Sequence, residues 1–443
     1  MDFQQSVRYL LSLGRELAAP TQAAVAKFNL ENITILADAL GDPQKKYPSI
    51  HIAGTNGKGS TAVFLEYIVR RAGYRTGLYT SPHLERINER IRVNGEDISD
   101  AAFAATFSRI HQKIEELLAN GSLRAHPTFF ECVTAIAFLH FAEAGVQFAV
   151  FETGLGGRLD ATNIVTPRVS VITRVAFDHE NFLGHSLREI ASEKAGIIKP
   201  NIPVVIADQP EEAREVLLAR ADALNSPVVE TSAAFAIESQ SMAEGRVRAV
   251  VQEKSSGVRF NITPCLAGRF QLQNALNAAA TSRVLSSTGS PIMKSDIEQG
   301  IAAAIWPGRI EKVHSNPDIY LDGAHNPSAA RELAAYLLEN FAGRKLILVF
   351  GALRDKAVDE IAGTLFPLAA EVIFTEPNTS RAISAAQLAE ISGHHAAKFE
   401  IVPNAENALD AALAKAAPAD AIFITGSLYL VGQLRRRAIY QIL

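Results

Sequence analysis

Ile50-His51-Ile52-Ala53-Gly54-Thr55-Asn56-Gly57-Lys58-Gly59-Ser60-Thr61 reads as a short apolar strand that breaks into a glycine loop carrying one lysine and several hydroxyls. Apolar residues at helical spacing follow over 62–72, with Val63, Phe64, Tyr67 and Ile68 in phase and Gly73 as the stop. Strand, glycine loop and helix in this order turn backbone N–H groups and a helix N-terminus toward a phosphate. Lys58 then offsets charge on the β/γ-phosphates, and a hydroxyl can bind Mg²⁺. The fit to the standard P-loop pattern is loose. Gly59 stands where a hydroxyl residue should follow the lysine, so the hydroxyl arrives at Ser60, and Ile52 stands where the first glycine belongs. An ordinary glycine turn is the competing reading.

A chain of 443 residues exceeds what one core usually serves, so two or three domains are expected. Apolar residues make up 48% and charged residues 20%, the balance of a water-soluble globular protein. A net charge of −4 gives no global electrostatic case for nucleic acid or membrane binding. Cys132 and Cys265 are too few and too far apart for a disulfide framework or a zinc site. No basic-then-apolar leader opens the sequence, and no apolar run nears the ~20 residues of a membrane span. A cytoplasmic monomer is the expectation.

Around the loop, residues 6–18 and 30–40 carry helical spacing, with Phe28-Asn29-Leu30 as a helix-entry turn and Asn29 as its cap. Residues 76–79 form a short strand running into Thr80-Ser81-Pro82-His83, where Ser81-Pro82 alone reads as a turn. Residues 86–93 look strand-like, and Ser99 caps a helix over 100–120. A very apolar helix spans 127–144, including Thr128, Phe129 and Phe130. Phe148-Ala149-Val150-Phe151-Glu152 is a buried strand ending in a carboxylate, the position at which phosphate-loop folds place a metal-binding acid. A solvated strand end is the alternative. The glycine-rich run Thr153-Gly154-Leu155-Gly156-Gly157 beside Glu152 suits close ligand approach. The strand 169–173 leads to Asp178-His179, on the ligand side of an open parallel sheet. Lys194 lies on a helix over 189–197, where a lysine is ordinarily a solvated charge.

Residues 234–262 alternate like a small antiparallel excursion. Gln271 opens a helix that contains Asn274. Trp306-Pro307-Gly308-Arg309 marks a boundary, giving domains of 1–305 and 306–443. The second opens with a strand to Asp322, the loop Gly323-Ala324-His325-Asn326-Pro327 and a helix, then continues as alternating strands and helices. The expected fold is α/β: a mostly parallel sheet domain with a phosphate loop, and a smaller Rossmann-like α/β domain.

Gly54-Thr55-Asn56-Gly57-Lys58-Gly59-Ser60, Thr80-Ser81-Pro82-His83, the run from Glu152 to Asn163, Asp178-His179, Glu193-Lys194-Ala195-Gly196, Pro307-Gly308-Arg309 and Asp322-Gly323-Ala324-His325-Asn326-Pro327 together resemble the folylpolyglutamate synthase / dihydrofolate synthase group of the Mur ligase superfamily. The motifs keep the family order over nearly the whole chain, and that family carries the extra glycine at Gly59. The resemblance implies a ligase using ATP and two Mg²⁺ ions. An acceptor carboxylate of dihydropteroate or a folate becomes an acyl phosphate, which the amine of L-glutamate attacks. It implies nucleotide contacts from Thr55, Asn56, Gly57, Lys58, Gly59, Ser60, Asn274, Arg309 and Asp322. It places one Mg²⁺ on Ser81 and Glu152 and a second on His179. It makes Lys194 a carbamylated lysine serving the metal site and sets His325 beside the transferring phosphate. Phe28, Asn29, Leu30, Thr128, Phe129 and Phe130 resemble segments lining the folate pocket, and for Phe129 a core position is the competing reading. Two other functions stay open at this point: another amide ligase of the superfamily acting on a cell-wall precursor, and a non-catalytic nucleotide-binding scaffold.

Overall fold

The computed structural model describes residues 1–14 and 29–442. The central strand of its larger sheet is Ser49–Ala53, buried along its whole length. It pairs in parallel with Phe148–Glu152 on one side and Val169–Ile172 on the other. Burial on both faces is why these strands read as unbroken apolar runs. Across the sheet the order is Glu96–Asp97, Ile91–Val93, Thr76–Tyr79, Phe148–Glu152, Ser49–Ala53, Val169–Ile172, Val204–Ile206 and Val228–Glu230. Only the first two pairings in this order are antiparallel. The loops after Ala53, Tyr79, Glu152 and Ile172 therefore leave one edge of the sheet together, where open parallel sheets bind ligands.

One face of this sheet is covered by helices Lys58–Arg71, Gln271–Ser287 and Lys294–Ala303, with the three-stranded antiparallel sheet Phe235–Ala243, Arg246–Glu253 and Arg259–Ile262 packed beside them. The other face carries Phe3–Ser12, Glu31–Ala39, Asp100–Ala119 and Phe129–Glu143 over one half, and Leu187–Ala195 and Glu211–Ala223 over the other. A second sheet forms the C-terminal α/β domain. Its order is Glu311–His314, Asp318–Leu321, Ala421–Thr425, Leu346–Phe350, Glu371–Glu376 and Phe399–Asn404, parallel except at the Glu311–His314 edge. No described helix is long and apolar enough to cross a membrane.

Several local expectations are corrected. The helix after the phosphate loop starts at Lys58, not at 62, because Gly57 takes the left-handed conformation (φ 85°) and serves as its N-cap. Gly59, Ser60 and Thr61 are thus helical and buried. Residues 87–90 form a 3₁₀ turn rather than strand, since the Glu89 carboxylate accepts the backbone N–H groups of Leu84, Glu85 and Arg86. The first helix runs Phe3–Ser12 behind a capping box of Asp2 and Gln5. Phe28 and positions 15–18 of the expected helix lie outside the described residues. The helix Glu31–Ala39 is capped at Leu30, and Asn29 instead accepts the Glu31 N–H from one residue earlier, at 3.0 Å.

Candidate active site

The phosphate loop is held by the sheet it leaves. The amides of Thr55 and Asn56 both donate to the Arg174 carbonyl, at 3.0 and 3.3 Å. The Thr55 hydroxyl donates to the Ala176 carbonyl at 2.9 Å and accepts the Ala176 N–H at 3.0 Å. The Thr55 amide and hydroxyl are therefore both engaged in holding the loop to the sheet. The amides left for an anion are those of the first helical turn, Lys58, Gly59 and Ser60, which no helix satisfies internally. Lys58 Nζ folds back onto the carbonyls of Gly54 (3.1 Å) and Thr55 (3.2 Å). A Cβ on Gly57 would sit 2.2 Å from Asn274 Oδ1, which explains both the glycine and the placement of Asn274 against the loop. Asn274 is in turn held by Gln271, whose amide also reaches the buried Ser60 hydroxyl at 3.4 Å.

Glu152 ends its strand almost fully buried, at 5% exposure, and accepts the Ser81 N–H at 3.2 Å. Burial raises its pKa, and the positive charges of Lys58 and Arg309 work against that rise. The glycine-rich loop that follows does a different job from the one its composition suggested. A Cβ on Gly157 would lie 2.9 Å from the Glu193 carbonyl, and one on Gly196 would lie 2.4 Å from the Arg158 backbone. The glycines let this loop close on the helix Leu187–Ala195, which carries Lys194. Asp160 staples the loop by accepting the amides of Gly154 (2.8 Å), Leu155 (3.0 Å) and Thr162 (3.0 Å). Lys194 is then buried, with Nζ 2.9 Å from the Gly54 carbonyl, the same oxygen that Lys58 touches. Burial and the neighbouring Lys58 charge lower its pKa to about 7. The solvated-lysine reading is overturned.

The second domain faces this loop. Asp322 is buried and accepts the amides of Ile310 (3.0 Å) and Ala324 (2.9 Å). Arg309 lies between Asp322 and Glu152, and both carboxylates act on its charge. Asn326, 1% exposed, caps the helix Pro327–Asn340 and exchanges hydrogen bonds with Asn56 at 3.0 and 3.3 Å. It also donates to Asp178 Oδ2 at 3.1 Å, beside His325 Nε2 at 3.6 Å. His325 is oriented by its Nδ1–H on the Gly323 carbonyl at 2.7 Å.

Sequence reasoning missed Lys356. Its ammonium reaches across to Asp178 Oδ1 (2.7 Å) and His179 Nε2 (3.2 Å), while Asp355 next to it pairs with Arg381 (2.7 Å). With Lys356 donating, His179 presents a lone pair at Nε2 and keeps its proton on Nδ1, which lies 3.5 Å from Asp355 Oδ2. Burial holds the His179 pKa down at about 3, so the ring is neutral. Burial opposes the Asp178 carboxylate, but His325 and Lys356 outweigh it and hold its pKa well below the usual range. No motif marks Lys356, whose partners stand far away in the chain.

Lys58, Glu152, Lys194, His179, Arg309, Asp322 and His325 thus share one interdomain cleft. A cavity of about 270 Å³ opens from it, lined by Ser81, His83, Glu152, Trp306, Arg309 and Leu428 among others. The segments expected to line the folate pocket divide. Thr128 is spent on a capping box with Glu131. Phe129 is a core residue, 4% exposed under the Arg90 guanidinium, so its core reading prevails. Phe130 is half-buried, and its ring lies against Gly154, where a Cβ would come within 2.6 Å.

Residues 52–282 match the Mur ligase middle domain, and residues 308–428 match the Mur ligase, glutamate ligase domain. The chain is 37% identical over 401 residues to the dihydrofolate synthase/folylpolyglutamate synthase of Bacillus subtilis (strain 168), covering 90% of this chain and 92% of that protein. It belongs to the folylpolyglutamate synthase/dihydrofolate synthase family of Mur ligases. Family resemblance extends to the whole architecture. The Mycobacterium tuberculosis folylpolyglutamate synthase complexed with ADP superposes with a TM-score of 0.89 at 34% identity, over 98% of both chains. An E. coli family member solved in complex with DHPP and ADP gives a TM-score of 0.84 at 29% identity, over 98% of this chain and 97% of that one.

Proposed function

We propose that this chain is a monomeric, ATP-dependent ligase that joins L-glutamate to the carboxylate of dihydropteroate, of a reduced folate, or of both. The observation that carries the reading is the single cleft in which the Gly54–Ser60 loop faces Asp322–Asn326 through the Asn56–Asn326 pair. The names of the relatives supply the substrate class.

In this reading the first-turn amides of Lys58, Gly59 and Ser60 receive the triphosphate, and Lys58 leaves its two carbonyls to neutralise the β/γ-phosphates. Arg309 and Asn274 hold the nucleotide from the far side. An acceptor carboxylate oxygen attacks the γ-phosphorus, ADP leaves, and an acyl phosphate results. The glutamate amine then attacks the acyl carbon, the tetrahedral adduct collapses, and inorganic phosphate departs. His325, fixed by Gly323, faces the transferring phosphoryl group and steadies its charge.

The residues fit Mg²⁺. Glu152 is a buried carboxylate whose raised pKa a cation would relieve, and Ser81 stands beside it. His179 already accepts a cationic group, the Lys356 ammonium, at Nε2. Glu152 and Ser81 would hold one ion and His179 a second. Such ions would screen triphosphate charge during phosphoryl transfer. Lys194 suits carbamylation, because an amine with a pKa near 7 is substantially neutral and can add to CO₂, giving a carbamate and a released proton.

The test is phosphate release from ATP with each acceptor in turn, with and without L-glutamate. Release that requires both glutamate and dihydropteroate or a reduced folate supports the reading. No release with either acceptor, or release with a UDP-linked cell-wall precursor instead, overturns it.

A further inference from the structure

Away from the cleft, the helix Phe3–Ser12, the helix Asp100–Ala119 and the turn before Thr128 converge on a second chemical cluster. We propose that His111, Glu115 and His126 form a binding site for a transition-metal dication of the zinc class. Their ligand atoms all lie within 4.8 Å of one another.

His111 and Glu115 stand one helical turn apart and face the same way, with Nδ1 and Oε1 3.8 Å apart. His126 Nδ1 lies 2.7 Å from the Pro127 carbonyl. A carbonyl only accepts, so Nδ1 carries the proton and Nε2 keeps its lone pair. That lone pair now accepts the Tyr9 hydroxyl at 3.0 Å. An imidazole fixed by its second nitrogen on a backbone carbonyl is the usual support of a metal-binding histidine. His111 Nδ1 is buried and has no hydrogen-bond partner, which leaves a ligand atom aimed into the cluster without another role. Tyr9 packs on the His111 ring at 4.6 Å between centroids, so its hydroxyl stands by as a fourth ligand, binding through oxygen.

Two imidazoles with only one carboxylate favour zinc, cobalt or nickel over Mg²⁺, whose ligands are mainly oxygens. Ligands around tetrahedral zinc lie about 3.3 Å apart. Glu115, 57% exposed, can swing inward to that spacing without unpacking the core. Among the described residues a second His-rich group, Asp359 with His394 and His395, is a weaker candidate, because two of its three side chains, Asp359 and His394, are each 62% exposed. A bound ion would tie the first helix and the 126 turn to the helix Asp100–Ala119. That turn leads directly into Thr128, the cap of the helix carrying Phe130.

The test is titration of chelator-stripped full-length chain with Zn²⁺ under excess Mg²⁺, read by equilibrium dialysis and by thermal melting. One Zn²⁺ per chain and a raised Tm are expected. His111→Ala and His126→Ala should each weaken binding at least about tenfold, and the double variant His394→Ala/His395→Ala should leave it unchanged. Co²⁺ should give the intense visible d–d bands of a four-coordinate site, and these should fade in the same variants. Should His126→Ala fail to fold, Glu115→Gln at the exposed carboxylate carries the comparison through the Co²⁺ spectrum. Zn²⁺ affinity equal in wild type and in these variants, or binding lost in the His394/His395 variant instead, overturns the site.

Discussion

The two walls of the cleft are built differently. The first-domain wall is tied by its own backbone: the Thr55 and Asn56 amides sit on the Arg174 carbonyl, and the Thr173 amide sits on the Ala53 carbonyl. The second-domain wall is joined to it by side chains: Asn326 on Asn56 and Asp178, Lys356 on Asp178 and His179, Arg435 on Glu85. Backbone ties persist whatever is bound. Side-chain ties can part and re-form, which suits a domain that must open for substrate and close for chemistry. On the proposed function, one wall would then serve as a preorganised phosphate receptor and the other as its detachable cover.

Removing the receptor's charge should have the largest effect. Lys58→Ala should lose at least ~10²-fold in turnover, the scale of losing one preorganised donor of charge stabilisation. Steady-state phosphate release measures it, and near-normal turnover would take the loop out of the chemistry. Loosening the cover should cost less. Lys356→Met should lower kcat/KM on the order of 30-fold, the effect of about 2 kcal/mol from a broken charge pair across an interface. Solution scattering should show a more open molecule, with Lys356→Arg partly restoring closure. An unchanged scattering profile would mean the cover does not depend on side-chain ties.

The receptor's rigidity can be probed separately. Gly57→Ala forces a side chain onto φ 85° and onto Asn274 Oδ1, and should destabilise the fold by ~1–3 kcal/mol. A melting temperature equal to wild type would contradict the tight loop. A further test of the receptor concerns pH. Lys194 titrates near 7 in the fold against an ordinary 10.5. Below about pH 7 both folded and unfolded chains hold its proton, and the cost of the buried charge is complete. Between about 7 and 10.5 the unfolded chain holds one proton more, so stability should rise with pH at ~1.4 kcal/mol per unit from this group. In Lys194→Met that one-proton slope should vanish, as measured by denaturant unfolding across the range. An unchanged slope would show that Lys194 is not held neutral.

The same contrast explains what the sequence disclosed. Strand, loop and helix around Gly54–Ser60 are local, and so are the apolar strand ending at Glu152 and the Asp322–Asn326 loop. Each could be read from neighbouring residues. Lys356 could not, because its role depends on partners 177 and 178 positions away, which no periodicity records. The glycines at 157 and 196 were legible as glycines but not as packing devices, since their neighbours belong to another element. Short edge strands such as Val228–Glu230 and Glu311–His314 lack the apolar run of a buried strand. The helix Leu428–Tyr440 was also not anticipated, although Gly432 within it packs where a Cβ would lie 2.0 Å from the Leu84 carbonyl. The P-loop motif itself misplaced the helix start, because Gly59 fills a tight helical contact with Trp306 instead of extending the loop.

The most direct test of carboxylate activation in this cleft follows oxygen. Dihydropteroate or a reduced folate labelled with ¹⁸O in the acceptor carboxylate should be converted with ATP and L-glutamate, and the released phosphate analysed by mass spectrometry. Phosphoryl transfer to the carboxylate predicts one ¹⁸O in each phosphate released from fully labelled acceptor. Unlabelled phosphate accompanying amide formation would contradict it.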